Sequence, residues 1–107
     1  MTENEPDIHD NTEAGRWEIA AEGAIAWLSY AMGPSVLVLV HTEVPERLGG
    51  RGLAGRLARH AMEIARVGGL KVEPQCPFMI GWLDRHGEYA DLVFKPSGPA
   101  ADEPFWF

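Results

Sequence analysis

The chain has 107 residues, enough for one compact domain and too few for a complete dinucleotide-binding fold. Apolar residues make up 46% and charged residues 23%, and no apolar run is long enough to span a membrane. The net charge of −7 argues against nucleic-acid binding, which requires an excess of basic groups. The single cysteine excludes an internal disulfide. The four scattered histidines show no metal-ligand spacing, so no metal site is expected.

The N-terminal segment carries much of the negative charge. Five of the sixteen acidic residues precede Arg16, the first basic residue. This composition predicts a disordered acidic tail over residues 1–15. The segment has neither the basic start nor the apolar centre of a secretory signal, so we expect a cytoplasmic protein.

Three strands are predicted next. Segments 16–22 and 24–32 are rich in apolar and aromatic residues, and Glu22 and Gly23 form a tight turn between them. The run "SVLVLVHTEV", residues 35–44, has the continuous apolar character of a strand that is covered on both faces.

A helix is predicted over residues 51–67, where apolar side chains recur at helical spacing. A short strand over residues 70–75 and a second helix beginning at Pro77 follow. Residues 91–94 are a candidate edge strand, and residues 96–107 form a Pro/Gly-rich tail.

The predicted element order is β-β-β-α-β-α. Such alternation of strands and helices indicates a single α/β domain over residues 16–95, with mixed strand pairing.

The loop before the first helix contains Gly50-x-Gly52-x-x-Gly55, the spacing of a dinucleotide-binding fingerprint. Glu73 lies where that fold would place an acidic ribose ligand. Residues 45–48, however, separate the glycines from the preceding strand, and too little chain follows Glu73 to complete a nucleotide crevice. A nicotinamide or flavin enzyme is therefore the least favoured hypothesis.

The same glycines fit a second pattern, "RLGGRG" at residues 47–52. A diphosphate needs several backbone N–H donors at a helix N-terminus, and glycines leave that approach open. The segment resembles the coenzyme A loop of the GNAT superfamily of N-acetyltransferases, with its pattern Arg/Gln-x-x-Gly-x-Gly/Ala. The likeness covers about residues 16–93, and it is to the small single-domain branch, in which "RHGEY" commonly reads Arg-His-Pro-Glu-Tyr. Gly87 stands here in place of that proline.

The resemblance implies a GNAT-like mixed sheet in which two parallel neighbours splay apart, one ending at Val44 and the other covering residues 70–75. The pantetheine arm of acetyl-coenzyme A would pair with the exposed backbone between them, and its diphosphate would bind the glycine loop. The predicted cofactor-binding residues are Thr42, Val44, Arg47, Gly49, Gly50, Arg51, Gly52 and Leu53.

Acetyl transfer to an amine requires a base for the amine and a proton for the departing thiolate. His41 and Glu43 alternate with Thr42 and are predicted to share a face as the candidate base. Their structural alternatives are a hydrogen-bonded histidine and a solvated carboxylate. Cys76 precedes Pro77 at a predicted helix start, where a thiolate is stabilised. It is a candidate nucleophile, proton donor or small buried apolar residue.

These features predict an acetyl-coenzyme A-dependent N-acetyltransferase that acts on a primary amine of a small molecule or a protein. The alternative is a non-catalytic coenzyme A-binding or interaction module, because the extra elements with which larger relatives shape an amine pocket are missing. Neither a nucleic acid nor a membrane is expected as a partner.

Overall fold

The computed structural model describes residues 7–94. Its sheet consists of five strands in chain order, β1 (Ile8–Asn11), β2 (Arg16–Ala21), β3 (Ala24–Met32), β4 (Val36–Glu43) and β5 (Lys71–Pro74). Strands β1 to β4 pair antiparallel, and β5 pairs parallel with β4. The mixed pairing predicted from the sequence is therefore confirmed.

The helical elements are α1 (Leu53–Gly68), α2 (Pro77–Asp84) and the 3₁₀ helices Glu46–Leu48 and Gly87–Leu92. The first predicted helix agrees with α1 to within two residues at its start. The second begins at Pro77 as predicted, and Arg85 and His86 separate its end at Asp84 from the following 3₁₀ helix. The predicted element order is correct except for one additional strand at its beginning.

That additional strand corrects the prediction of a disordered tail over residues 1–15. In β1, Ile8 lies opposite Ile19 and Asp10 lies opposite Trp17. Tyr30 donates a hydrogen bond to Asp10 at 2.6 Å. Burial raises the pKa of Tyr30 to about 12, and the hydrogen bond to the Asp10 carboxylate is the second cause of this increase. Composition alone could not show that β2 offers a pairing edge to this segment. Residues 1–6 and the predicted tail 96–107 lie outside the described residues.

A two-residue turn joins β2 to β3. Glu22 and Gly23 both have left-handed backbones, with φ of 53° and 77°, and Ala21 lies opposite Ala24. Two successive positive φ values match the twist of antiparallel strands in a tight hairpin. The predicted turn is confirmed, and glutamate is an unusual residue at its first position.

The core lies between one face of the sheet and the two helices. Alternate residues of the strands are fully buried there, including Leu28, Leu37 and Leu39, and small side chains of α1 such as Ala58 and Ala61 allow close packing. On the other face Val36 and Val38 are half-buried, and Val40 is 42% exposed. The prediction that residues 35–44 are covered on both faces is therefore wrong, because the buried side chains of both helices belong to the same core.

In place of the predicted edge strand at residues 91–94, the described structure has a single β-bridge. Val93 pairs with Val72 in parallel, and the Phe94 amide donates to the Val72 carbonyl at 2.7 Å. The preceding 3₁₀ helix occupies the chain up to Leu92, so only two of the described residues, Val93 and Phe94, are left to extend along β5.

Candidate functional site

Strands β4 and β5 separate after Leu39. Their parallel pairing ends with Leu39 opposite Pro74, and the Gln75 amide donates to the Leu39 carbonyl at 2.8 Å. Strand β4 continues to Glu43, whereas the chain after Pro74 turns into α2. Among the described strands, none pairs with this side of β4 beyond Leu39. The predicted splayed pair is confirmed, and it leaves a free backbone edge at the end of β4.

A β-bulge decides where the side chains of this free end point. Val40 has no residue opposite it in β3, and this extra residue reverses the alternation of faces. Thr42 lies opposite the buried Leu28 and thus joins the helix-covered face. His41 and Glu43 consequently lie on the open face of the sheet.

Cys76 lies beside the free end of β4 on the helix-covered face. Its Sγ is 3.3 Å from Thr42 Oγ1, and the residue is only 4% exposed. It is the N-cap residue of α2, and its carbonyl accepts a hydrogen bond from the Ile80 amide at 3.1 Å. The predicted position at a helix start is confirmed, and the contact with Thr42 ties the thiol to β4.

His41 and Glu43 form a pair on the opposite face. His41 Nε2 is 2.9 Å from Glu43 Oε1, and their side chains are 56% and 48% exposed. The shared face predicted for them is confirmed. The structure thus brings His41 to Glu43 and Thr42 to Cys76, but the sheet separates the two pairs.

The glycine loop connects β4 to the start of α1. Fully buried Leu48 anchors its 3₁₀ helix, and the Gly49 amide donates to the Glu46 carbonyl at 3.0 Å. Gly50 and Gly52 have left-handed backbones, with φ of 80° and 72°, and a Cβ at either position would point into open space. Glycine is the residue that adopts this conformation without strain.

Helix α1 begins immediately after this loop. Its N-cap is Gly52, and within residues 7–94 no side chain caps its first turn. The first amides of a helix have no intrahelical acceptor and carry the positive end of the helix dipole. The amide groups that open at Leu53 are therefore available to an anion.

The charged residues of the loop differ in their surroundings. Arg51 forms an ion pair with Glu22 at the tip of the β2–β3 hairpin. The hydrogen bond from Arg51 lowers the pKa of the Glu22 carboxyl, and the more distant charge of Arg47 acts in the same direction. No spacing rule links residues 22 and 51, so sequence reasoning missed Glu22. Val44, also predicted to line the site, packs half-buried against the core.

The segment "RHGEY" packs α2 against α1. The His86 ring stacks on Trp82 at 3.7 Å between centroids, and the Tyr89 hydroxyl donates to Glu63 at 2.5 Å and accepts from Arg59 at 3.1 Å. Tyr89 is 2% exposed. These contacts give His86 and Tyr89 a structural role in packing α2 against α1. Gly87 begins the 3₁₀ helix here.

Residues 7–94 lack two other kinds of feature. They contain no helix that is both long and apolar enough to cross a bilayer. They also contain no cluster of three histidine, cysteine or acidic side chains that could hold a metal ion.

Comparisons with known proteins identify the family of the chain and a similar fold. A family model of the GCN5-related N-acetyl-transferases matches residues 16–92. The chain belongs to this GNAT family. Among solved structures, the fold is similar to that of a GCN5-like candidate N-acetyltransferase from Staphylococcus aureus, determined by NMR, with a TM-score of 0.68 and 23% identity. That match covers 92% of this chain and 96% of the other. Among curated proteins, none matches this chain.

Proposed function

We propose that this protein is an acetyl-coenzyme A-dependent N-acetyltransferase that acts on a primary amine. The observation that carries the proposal is the uncapped start of α1, beside bare left-handed glycines and next to the free edge of β4. Helix amides without acceptors suit a diphosphate, and an unpaired strand edge suits an amide-bearing arm. Membership of the GNAT family makes coenzyme A the natural occupant.

The chain's own residues fit such a ligand along one continuous path. Thr42 and Val44 would offer strand backbone to the pantetheine arm. Gly50, Gly52 and Leu53 would offer amides to the diphosphate, and Arg47 and Arg51 would add positive charge. The Gly49 amide is held by the Glu46 carbonyl, so Gly49 would contribute by shaping the loop. The Cβ positions of Gly50 and Gly52 face open space, so no neighbouring atom crowds the approach at these two residues.

Acetyl-coenzyme A would supply an activated acetyl group, and side chains of the protein would accept and donate the protons. On the open face, Glu43, held by His41, would accept the proton that the amine loses as its nitrogen bonds to the acetyl carbon. On the helix-covered face, the Cys76 thiol would donate a proton to the sulfur that departs as the carbon–sulfur bond breaks. Thr42 would hold that thiol in place. The base and the acid would thus act from opposite faces of the sheet.

A direct transfer is favoured over an acetyl-cysteine route by the same arrangement. Cys76 is almost completely buried and lies across the sheet from His41 and Glu43. A nucleophilic cysteine would need the amine to reach it on the helix-covered face, where the core is packed. We therefore assign Cys76 the role of proton donor.

The non-catalytic module stays the second candidate because a pocket of the structure is not lined by the proposed catalytic residues. A pocket of about 180 Å³ lies between α2, β5 and the second 3₁₀ helix, and its lining includes Pro74, Ile80 and Val93 but none of His41, Glu43 and Cys76. A binding module would take up coenzyme A without a shaped amine site.

Two measurements test these candidates. At about 100 times its dissociation constant, acetyl-coenzyme A should stabilise the fold by roughly 2.7 kcal/mol and raise the melting temperature by about 10–20 °C, whereas NAD should not. Release of free thiol is then followed with a panel of amines. Binding without any amine-dependent release identifies the module, and the absence of binding rejects both candidates.

A further inference from the structure

The tip of the β2–β3 hairpin carries a glutamate where the backbone favours another residue. Glu22 has a φ of 53°, a conformation in which glycine, asparagine and aspartate are the usual residues. It is the first residue of a two-residue turn whose second residue is Gly23, and in residues 7–94 no other non-glycine residue has a positive φ. The turn would form more readily with asparagine or glycine, so the reason for a glutamate lies in its side chain.

That side chain reaches the glycine loop. Its carboxylate accepts a hydrogen bond from the Arg51 guanidinium, twenty-nine residues further along the chain. Both side chains are partly exposed, at 53% for Glu22 and 42% for Arg51. The positive charge of Arg47 also acts on the same carboxylate, since it contributes to lowering its pKa. A fixed negative charge therefore lies beside the arginines of the loop that we assign to the diphosphate.

We propose that Glu22 is an internal counter-anion that competes with the phosphate groups of coenzyme A for Arg51, and so limits the affinity of the loop for its cofactor. The inference rests on the proposed function, because it takes the loop to be the diphosphate site. It adds to that function a residue on a different element that tunes binding without touching the reacting atoms.

The balance of charges supports competition over simple support of the loop. An exposed ion pair contributes little to stability, so Arg51 can exchange one partner for another at small cost. A guanidinium binds phosphate oxygens through the same forked donors that it offers to a carboxylate. A carboxylate left beside the bound diphosphate would also repel it. Removing the negative charge of Glu22 should therefore favour the cofactor.

The test is titration calorimetry with acetyl-coenzyme A on the full chain. Glu22→Gln keeps the length of the side chain and removes its charge, and we expect it to lower the dissociation constant about two- to fivefold in low salt. The gain should shrink at about 0.5 M salt, where charges are screened within a few ångströms. Glu22→Gly, which relaxes the turn, should give the same gain and serves if the glutamine variant folds poorly.

Asp91→Asn is the matched control. Asp91 is also an exposed acid paired with an arginine, Arg66, but it lies at the opposite end of α1. It removes the same charge far from the loop and should change the affinity much less. An equal gain in this variant would mean that the overall charge is responsible, and would overturn the inference.

Repeating the substitution in a protein that lacks the Arg51 charge shows whether Glu22 acts through Arg51. In Arg51→Gln, the further change Glu22→Gln should alter the affinity less than about twofold. Unchanged or weaker binding in the single variant Glu22→Gln overturns the inference while leaving the proposed function intact. If the wild-type protein itself takes up no acetyl-coenzyme A, the proposed function is rejected, and the inference with it.

Discussion

The two ends of helix α1 use the same residue in the same conformation for opposite purposes. Gly52 at the start and Gly69 at the end have φ of 72° and 70°, and a Cβ at either one would meet open space. At the end, the Gly69 amide donates to carbonyls of the last turn, and the Leu70 amide donates to the Ala65 carbonyl at 2.9 Å. This closes the helix in the manner of a Schellman motif.

At the start, no side chain of the described residues closes the helix. The end is further supported by Arg66, which donates to the Glu88 carbonyl at 3.0 Å and pairs with Asp91. A left-handed glycine therefore does not identify a site by itself. The distinguishing feature is whether the chain supplies partners for the backbone groups next to it.

The largest effect should come from replacing the glycine at the start of the helix. Gly52→Glu places a carboxylate at the proposed diphosphate site, and we expect acetyl-coenzyme A binding to fall by more than about 100-fold, because a fixed charge would repel the ligand at close range. Calorimetry measures the loss.

Gly69→Glu is the control for backbone strain. Both substitutions force a side chain into the left-handed region and should cost about 1–2 kcal/mol in the free energy of unfolding. Only the variant at the start should lose binding. Retained binding in a folded Gly52→Glu protein would reject the loop assignment.

The next effect concerns the free end of β4, beside the open start of the helix. Glu43→Gln removes the proposed proton acceptor, and amine-dependent thiol release should fall about 100-fold while acetyl-coenzyme A binding is kept. Glu46→Gln makes the same change in an exposed residue of the following 3₁₀ helix and should retain activity. Equal rates in the two variants would remove Glu43 from the mechanism.

A smaller effect is expected at Cys76. Because we assign its thiol to protonating the departing sulfur, Cys76→Ala should slow thiol release about tenfold without loss of binding. Cys76→Ser keeps a proton donor and should recover part of the rate. Mass spectrometry of the wild-type protein incubated with acetyl-coenzyme A should show no acetylated Cys76. A stable adduct that disappears in Cys76→Ala would establish the covalent route instead.

The smallest effect belongs to the closed end of the helix. Arg66→Gln removes the contacts with the Glu88 carbonyl, Asp91 and the face of the Tyr89 ring. Because the Arg66 side chain is itself 43% exposed, the loss should be about 1 kcal/mol in the free energy of unfolding. Chemical denaturation measures this change. Binding of acetyl-coenzyme A should stay the same, and a weaker affinity would show that the two ends are coupled through the helix.

The sequence predicted those parts of the fold that depend on local patterns. Helical spacing located α1, and the dipeptide Glu22-Gly23 located the hairpin turn. The glycine loop was found because its residue types and spacing reflect a local need for bare backbone. The strand β1 was missed because its acidic composition outweighed one apolar residue, Ile8, whose partner lies in β2.

The element order, the glycine loop and the family resemblance were thus determined by the sequence itself, because each depends on residues close together along the chain. Only the tertiary structure decided which side chains meet. The bulge at Val40 turns Thr42 towards Cys76 and leaves His41 and Glu43 on the other face. Contacts between residues so distant in the chain depend on strand register, and register is set by how whole strands pair and pack.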